Sequence, residues 1–314
     1  MEEYMVEIGI MVEGQENMTW ERFLGLARTI EELGFDAFFR SDHLTALGGE
    51  KDRPSLSLWP SLSALALQTE RIRFGPMVCS MTFRHPTILA KMAASVSDLS
   101  NGRLDLGIGA GWYREEHEMF GIDFPRYGTR LKMLDEGAQV IRLLFATEPV
   151  NFNGEFYQLT DAMTYPKPKN LTIIMGGKGK KTLEVVARNA DEWNCSYVGV
   201  DVFKDKSRQL DINCESIGRD PLTLRRSLMI PFVIARSERE LQECIHAHRL
   251  MFSNLPGDLS AWNRAGFIGG TPQQVIDQLK GFEQAGVSRF MLQHNNLDDI
   301  DSLALFAEDV LPFV

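Results

Sequence analysis

The chain has 314 residues, 44% hydrophobic and 24% charged, which suffices for one large α/β domain, or two smaller ones, around a sizeable core. Thirty-three Lys and Arg against 43 Asp and Glu give a formal net charge of −10, which opposes non-specific attraction to nucleic acid or an anionic membrane. No apolar run approaches the roughly 20 residues of a membrane-spanning helix, and Met1-Glu2-Glu3-Tyr4 lacks the basic and apolar regions of a secretory leader, so a soluble cytoplasmic protein is expected.

Strand one is expected at 5–11 (MVEIGIM), followed by a helix near 19–33 with Thr19 as N-cap candidate and Gly34 where a helix-ending glycine belongs. Strand two, 36–41 (DAFFRS), ends in Arg40-Ser41-Asp42-His43-Leu44. His43 there suits proton transfer, since an imidazole titrates near ~6.5; alternatively Asp42 caps the turn and His43 packs as a satisfied polar residue. After a helix near 58–68, strand three, 72–79 (IRFGPMVC), runs into a segment through Pro86 too apolar for a solvated loop. It reads as a pocket wall, although Met77 and Val78 fit plain barrel core equally well. Arg84-His85-Pro86 opens a helix near 86–100.

Strand four, 104–109 (LDLGIG), gives way to Gly107-Ile108-Gly109-Ala110-Gly111-Trp112, whose alternate glycines let a flat ligand or a second backbone approach closely. This is not the dinucleotide fingerprint, because the third glycine is misplaced and no acidic residue follows on a second strand. The stretches 112–128 and 149–171 flank a helix near 129–145 and break the alternation; in the second, FNGEFY suggests a hairpin turning at Asn153-Gly154. Strand five, 172–176 (TIIMG), leads through Gly176-Gly177-Lys178-Gly179-Lys180-Lys181 into a helix near 180–190. Free N–H groups at a helix start form an anion site, and lysines there oppose the macrodipole unless an acidic ligand visits; a solvated basic turn is the bland alternative. Strands follow at 192–197, 228–235 and 289–293, with helices near 201–217, 237–249, 271–285 and 299–310. Gly270-Thr271-Pro272 opens the last or next-to-last barrel helix, with an apolar face of Val275, Ile276, Leu279 and Phe282.

Eight strands alternating with helices predict a (β/α)₈ TIM barrel with insertions after strand 4 and before strand 5, spanning 1–314 as a single domain, with a doubly wound sheet as runner-up. Functional residues then belong at the carboxyl ends of the strands. Cys79, Cys195, Cys214 and Cys244 are scattered and read as reduced, buried thiols. His246 and His248 lie two apart on a helix and project apart, so no metal site is expected.

Taken together, SDHL, MTFRHPTILAKMAASVSDLSNGRLDLGIGAGWYREEHEMFGIDF and MGGKGKKTLEVVARNADEWN resemble the luciferase-like monooxygenase superfamily, and within it the branch of oxidoreductases using coenzyme F420, a deazaflavin with a phosphate and an acidic glutamate tail. The resemblance spans roughly residues 5–200 and continues more weakly through GGTPQQVIDQLKGFEQAGVSRFML. It implies a (β/α)₈ barrel, usually dimeric, with the cofactor ring across the strand ends. Asp42 and His43 then lie beside the reactive edge, with His43 first in line for acid/base work. Met77-Val78 matches a bulge that props the ring through a non-proline cis peptide. Gly109 and Gly111 match the backbone under the cofactor, while Gly176, Gly177 and Lys178 match the phosphate loop and its surroundings. FMN-using relatives tend to carry asparagine and threonine on strand four, where this chain has glycines, which favours F420 over the alternative, FMN.

The sugar-phosphate dehydrogenase of the superfamily has a glutamate acid where this chain has Trp112, so neither its substrate nor its proton donor is carried over. Trp112, Tyr113 and 149–171 are read as covering a small-molecule substrate, Trp112 alternatively as core, and Glu115 and Glu116 as helix caps or partners of Arg130. The expected function is hydride transfer between the deazaflavin and that substrate in a homodimer. The alternatives are an FMN-dependent monooxygenase fed by a flavin reductase and a non-catalytic flavin- or deazaflavin-binding protein.

Overall fold

The computed structural model describes residues 6–48, 50–146 and 148–314. Residues 1–5, on which the expected start of strand one and the expected absence of a secretory leader rest, lie outside them. Strands β1 (Glu7–Val12), β2 (Ala37–Arg40), β3 (Arg73–Pro76), β4 (Cys79–Ser80) and β5 (Asp105–Gly109) alternate with helices α1 (Trp20–Glu32), α2 (Leu58–Gln68) and α3 (Pro86–Leu99). Then come α4 (Arg114–Met119), α5 (Tyr127–Phe145), the strands β6 (Val150–Asn153) and β7 (Gln158–Ala162), β8 (Thr172–Gly176), α6 (Lys180–Asn189), β9 (Glu192–Ser196) and α7 (Val200–Ser216). The chain closes with β10 (Arg225–Ile234), α8 (Glu238–Met251), α9 (Leu259–Arg264), β11 (Ile268–Gly270), α10 (Pro272–Glu283), β12 (Arg289–Gln293) and α11 (Ile300–Asp309).

The main sheet is parallel and runs β3-β2-β1-β12-β10-β9-β8-β5-β4. β3 and β4 are two pieces of one barrel stave, parted by a cis peptide between Met77 and Val78. The ring closes where Phe74 of β3 bridges Leu104 and donates its N–H to the Arg103 carbonyl at 3.1 Å. Around the ring the staves are thus β1, β2, β3 with β4, β5, β8, β9, β10 and β12, in chain order, the topology of a (β/α)₈ TIM barrel. The third strand is accordingly not the continuous 72–79 of the sequence reading.

Local chemistry sets the helix boundaries. The Thr19 hydroxyl accepts from Arg22 N at 3.3 Å, and Gly34, with φ +92°, lets the chain leave α1. Thr271 and Gln274 form a capping box ahead of Pro272 in α10, the next-to-last barrel helix. Leu58, Leu89, Leu134 and Leu183 pack the helices onto the outer face of the ring, while Met11, Phe39, Met77, Ile174 and Met291 form a separate cluster inside it. The segment 112–128 carries α4, and β6 pairs antiparallel with β7 across the Gly154–Tyr157 turn, outside the main sheet. β11, α4 and α9 were not foreseen.

The amino-terminal end of the ring is plugged by ions. Arg289, only 1% exposed, meets Glu7 at 2.7 Å, Asp105 at 2.9 Å and Glu192 at 3.1 Å. Burial penalises its charge, yet the three carboxylates win and raise its pKa further. Among the described residues no helix is long and apolar enough to cross a membrane.

Candidate active site

At the carboxyl ends of the strands the ring opens into a cavity of about 870 Å³. Every site residue foreseen from the sequence lines it: Asp42 and His43 after β2, Met77 and Val78 between β3 and β4, Gly109 and Gly111 on and after β5, Trp112 and Tyr113 ahead of α4, and Gly176, Gly177 and Lys178 at the exit of β8. The glycines make close packing possible. A Cβ on Gly109 would stand 2.7 Å from Val78 Cγ2, and one on Gly107 would collide with the Pro76 carbonyl, so the Met77–Val78 segment lies directly on bare β5 backbone. Gly111 adopts φ +77°, where a side chain would also strike the Ser80 hydroxyl.

Asp42 is 3% exposed and takes both guanidinium nitrogens of Arg84, one at 3.1 Å to Oδ1 and a second contact to Oδ2. It does not cap the turn. His43 donates from Nδ1 to Glu116 Oε2 at 3.0 Å, which leaves Nε2 to the cavity. Glu116 is fully buried and also accepts from the backbone N–H groups of Leu44 and Thr45. This corrects the sequence reading: Glu116 neither caps a helix nor meets Arg130, which bonds the carbonyls of Ala110 and Pro125 and lies over the Phe124 ring. Burial works against a charged His43, but the Glu116 hydrogen bond and the nearby carboxylates of Glu13, Glu116 and Asp42 outweigh it and raise the imidazole pKa. Trp112 and Tyr113 meet the His43 ring edge-on at 5.7 and 6.2 Å between centroids. At 66% exposure Trp112 is no core residue; it stands at the cavity mouth.

The opposite wall was missed from sequence. Glu13, directly after β1, is 7% exposed and accepts from Gln15 at 2.8 Å and from Gln293 at 2.6 Å, while the Tyr197 hydroxyl donates to Gln293. Asn295, 1% exposed and just past β12, lines the cavity with neither its amide oxygen nor its amide nitrogen hydrogen-bonded. The signal was present in both cases, a polar residue within two positions of the end of an apolar strand. His117 is a structural neighbour here, bonded at Nε2 to Thr82 at 2.6 Å and at Nδ1 to the Tyr113 carbonyl at 2.7 Å.

At the β8–α6 turn, Gly177 has φ +132° and α6 begins with no side-chain cap, so its leading N–H groups remain available at the cavity edge. Lys178 donates to the carbonyls of Ser196 at 3.0 Å and Tyr197 at 3.4 Å; Lys180 and Lys181 are exposed in the first turn. The four thiols are free, three of them buried and Cys244, against expectation, only half-buried, and no cluster of three or more His, Cys, Asp or Glu suited to a metal occurs among the described residues.

Residues 5–289 match the family model described as luciferase-like monooxygenase. An F420-dependent glucose-6-phosphate dehydrogenase of Amycolatopsis mediterranei is 27% identical over 307 residues, covering 90% of this chain and 91% of that protein. The pyrimidine monooxygenase RutA of Stutzerimonas stutzeri is 30% identical over 210 residues, 64% of this chain and 58% of its own. The solved structure of an F420-dependent secondary alcohol dehydrogenase in complex with an F420-acetone adduct shares the fold, with a TM-score of 0.82 over 97% of this chain and 98% of that one, at 19% identity.

Proposed function

We propose, since the chain belongs to the luciferase-like monooxygenase family, that it is a coenzyme F420-dependent oxidoreductase exchanging a hydride with a small organic substrate. The observation that carries this reading is the convergence of a glycine-floored slot, an uncapped helix N-terminus and a free imidazole nitrogen on one cavity. The donor set fits the group. Met77, Val78, Gly109 and Gly176 offer a flat, largely apolar seat for a planar ring, while the N–H groups opening α6, with Lys178, Lys180 and Lys181, suit a phosphate and an acidic tail. Bound F420 supplies the reversible hydride chemistry at its central-ring carbon.

The chain's own residues supply alignment and the proton. His43 Nδ1–H is fixed by Glu116, so Nε2 is the atom that takes a substrate hydroxyl proton in oxidation or gives one to a carbonyl oxygen in reduction. Asp42, clamped by Arg84, adds a fixed negative charge that favours the imidazolium. Trp112 and Tyr113 flank the imidazole and shield it from bulk water. No residue of 149–171 lines the cavity, so the cover expected from that segment is not found and the reading does not use it.

Titrating the purified chain with F420 and with FMN tests the proposal. Saturable F420 binding with weak or absent FMN binding is expected; the reverse would favour the second reading, an FMN-dependent monooxygenase served by a flavin reductase, which the likeness to a pyrimidine monooxygenase keeps in view.

Two variants probe the parts. Glu116→Gln replaces the carboxylate that raises the His43 pKa with a neutral, weaker acceptor and leaves burial, which lowers it. The pH limb of kcat/KM that reports His43 is therefore expected to move to lower pH, acid limb or alkaline limb according to direction, with F420 affinity kept. An unmoved limb would detach Glu116 from the proton chemistry. Gly177→Val forces a β-branched residue into φ +132° and sets its Cβ 2.7 Å from Thr182 Cγ2, displacing the start of α6. F420 affinity should fall on the order of a hundredfold, with stability falling by about 1–3 kcal/mol and the chain still folded. That stability loss with F420 affinity kept would mark Gly177 as a purely structural glycine.

A further inference from the structure

The order of the staves divides the cavity. β5 and β8, which carry the glycine seat and the α6 turn, lie directly across the ring from β1 and β12. If the deazaflavin occupies the first pair, the reading on which this inference rests, the substrate faces the residues at the ends of β1, β2 and β12. That half holds three carboxylates, Glu13, satisfied by Gln15 and Gln293, Asp42, held by Arg84, and Glu116, which is paired with its one imidazole, His43. Its remaining polar groups are neutral amides, the Ser41 hydroxyl and a phenol, and Leu47, Phe252 and Leu255 contribute its apolar wall.

Among the described residues, Lys178 is the lone lysine or arginine lining the cavity, and its ammonium is bonded to two carbonyls on the β9 side. Lys51, near Tyr113, is turned to the Ala46 carbonyl and rests over the Tyr113 ring at 5.6 Å. A phosphate or carboxylate placed on this half would meet the field of Glu13, Asp42 and Glu116 with only the His43 ring, itself paired with Glu116, to answer it. Sites that bind such groups commonly use bidentate arginine or several cationic donors, and this half offers no lysine or arginine.

Asn295 provides what the half does offer. A buried amide with neither polar atom bonded is costly to leave unpaired, and a ligand oxygen in the cavity is a partner for it. We infer that the substrate is an uncharged alcohol or its carbonyl form on an apolar body, not a phosphorylated or carboxylated molecule, with its polar end held by His43 and Asn295. In this respect the chain departs from the glucose-6-phosphate dehydrogenases to which it is similar.

Calorimetric titration of the full chain, alone and with saturating F420, with acetophenone as the neutral probe and glucose 6-phosphate as the anionic one, tests the inference. Acetophenone should bind saturably and about tenfold or more tighter, with a Kd indifferent to salt, because opposed charge is what excludes the phosphate. Asn295→Leu, similar in volume, should weaken acetophenone about tenfold and leave F420 affinity unchanged. Glucose 6-phosphate binding as tightly as the ketone, with a Kd that rises with salt, overturns the inference, as does the absence of saturable ketone binding. Should the variant fail to fold, the two-probe comparison on the parent decides. Failure of F420 to bind the parent sinks the cofactor reading instead, and the probe order measured without F420 still judges the charge inference.

Discussion

Replacing His43 with alanine is expected to lower kcat by about 10²–10⁴-fold, the usual worth of a positioned general acid or base, while F420 affinity stays within error of the parent. The expectation follows from the division of labour in the cavity. The imidazole touches none of the glycine seat, its Nδ1 is committed to Glu116, and its Nε2 faces the open space, so its loss removes a proton route and leaves the cofactor's contacts intact. Single-turnover bleaching of F420 with an alcohol, beside an F420 titration of the same variant, separates the two quantities. Unchanged turnover would remove His43 from the chemistry, and parallel loss of cofactor binding would make it a wall residue.

The largest effect on stability is expected at the other end of the barrel. Arg289→Met keeps length and apolar stem but leaves fully buried Glu192 with Arg225 alone, at 3.9 Å, and fully buried Asp105 with Arg73 alone. Removing one partner from a buried ionic cluster costs about 3–5 kcal/mol, and Tm should drop on the order of 10 °C. Burial already raises the Glu192 pKa, with Arg289 and Arg225 opposing that rise; without Arg289 the carboxyl protonates more readily. Adding Glu192→Gln should therefore recover part of the loss. A fall below about 1 kcal/mol by chemical denaturation would mean that the cluster relaxes into water, as surface pairs do.

The barrel was legible because each stave is a short apolar, β-rich run bounded by helices with chemical caps, such as Thr19 and Thr271. What escaped was short or non-local. β11 spans three residues and α4 and α9 six each, too few for any period to register. The break between β3 and β4 does not follow from hydrophobicity, since Met77 and Val78 suit an unbroken strand; only resemblance to a family suggested it. The role of Glu116 was hidden by the 73 residues separating it from His43. Glu13 and Asn295 are different, because they lie within two positions of strand ends and the rule that located Asp42 and His43 applied to them equally.

A crystal structure of the F420 complex weighs most directly on all of this. The expected density places the ring against Met77, Val78, Gly109 and Gly176, with phosphate and tail at Gly177 and the first turn of α6, leaving the space between His43, Trp112 and Asn295 for substrate. A ring seated on the β1–β12 side, or a tail that avoids α6, contradicts it.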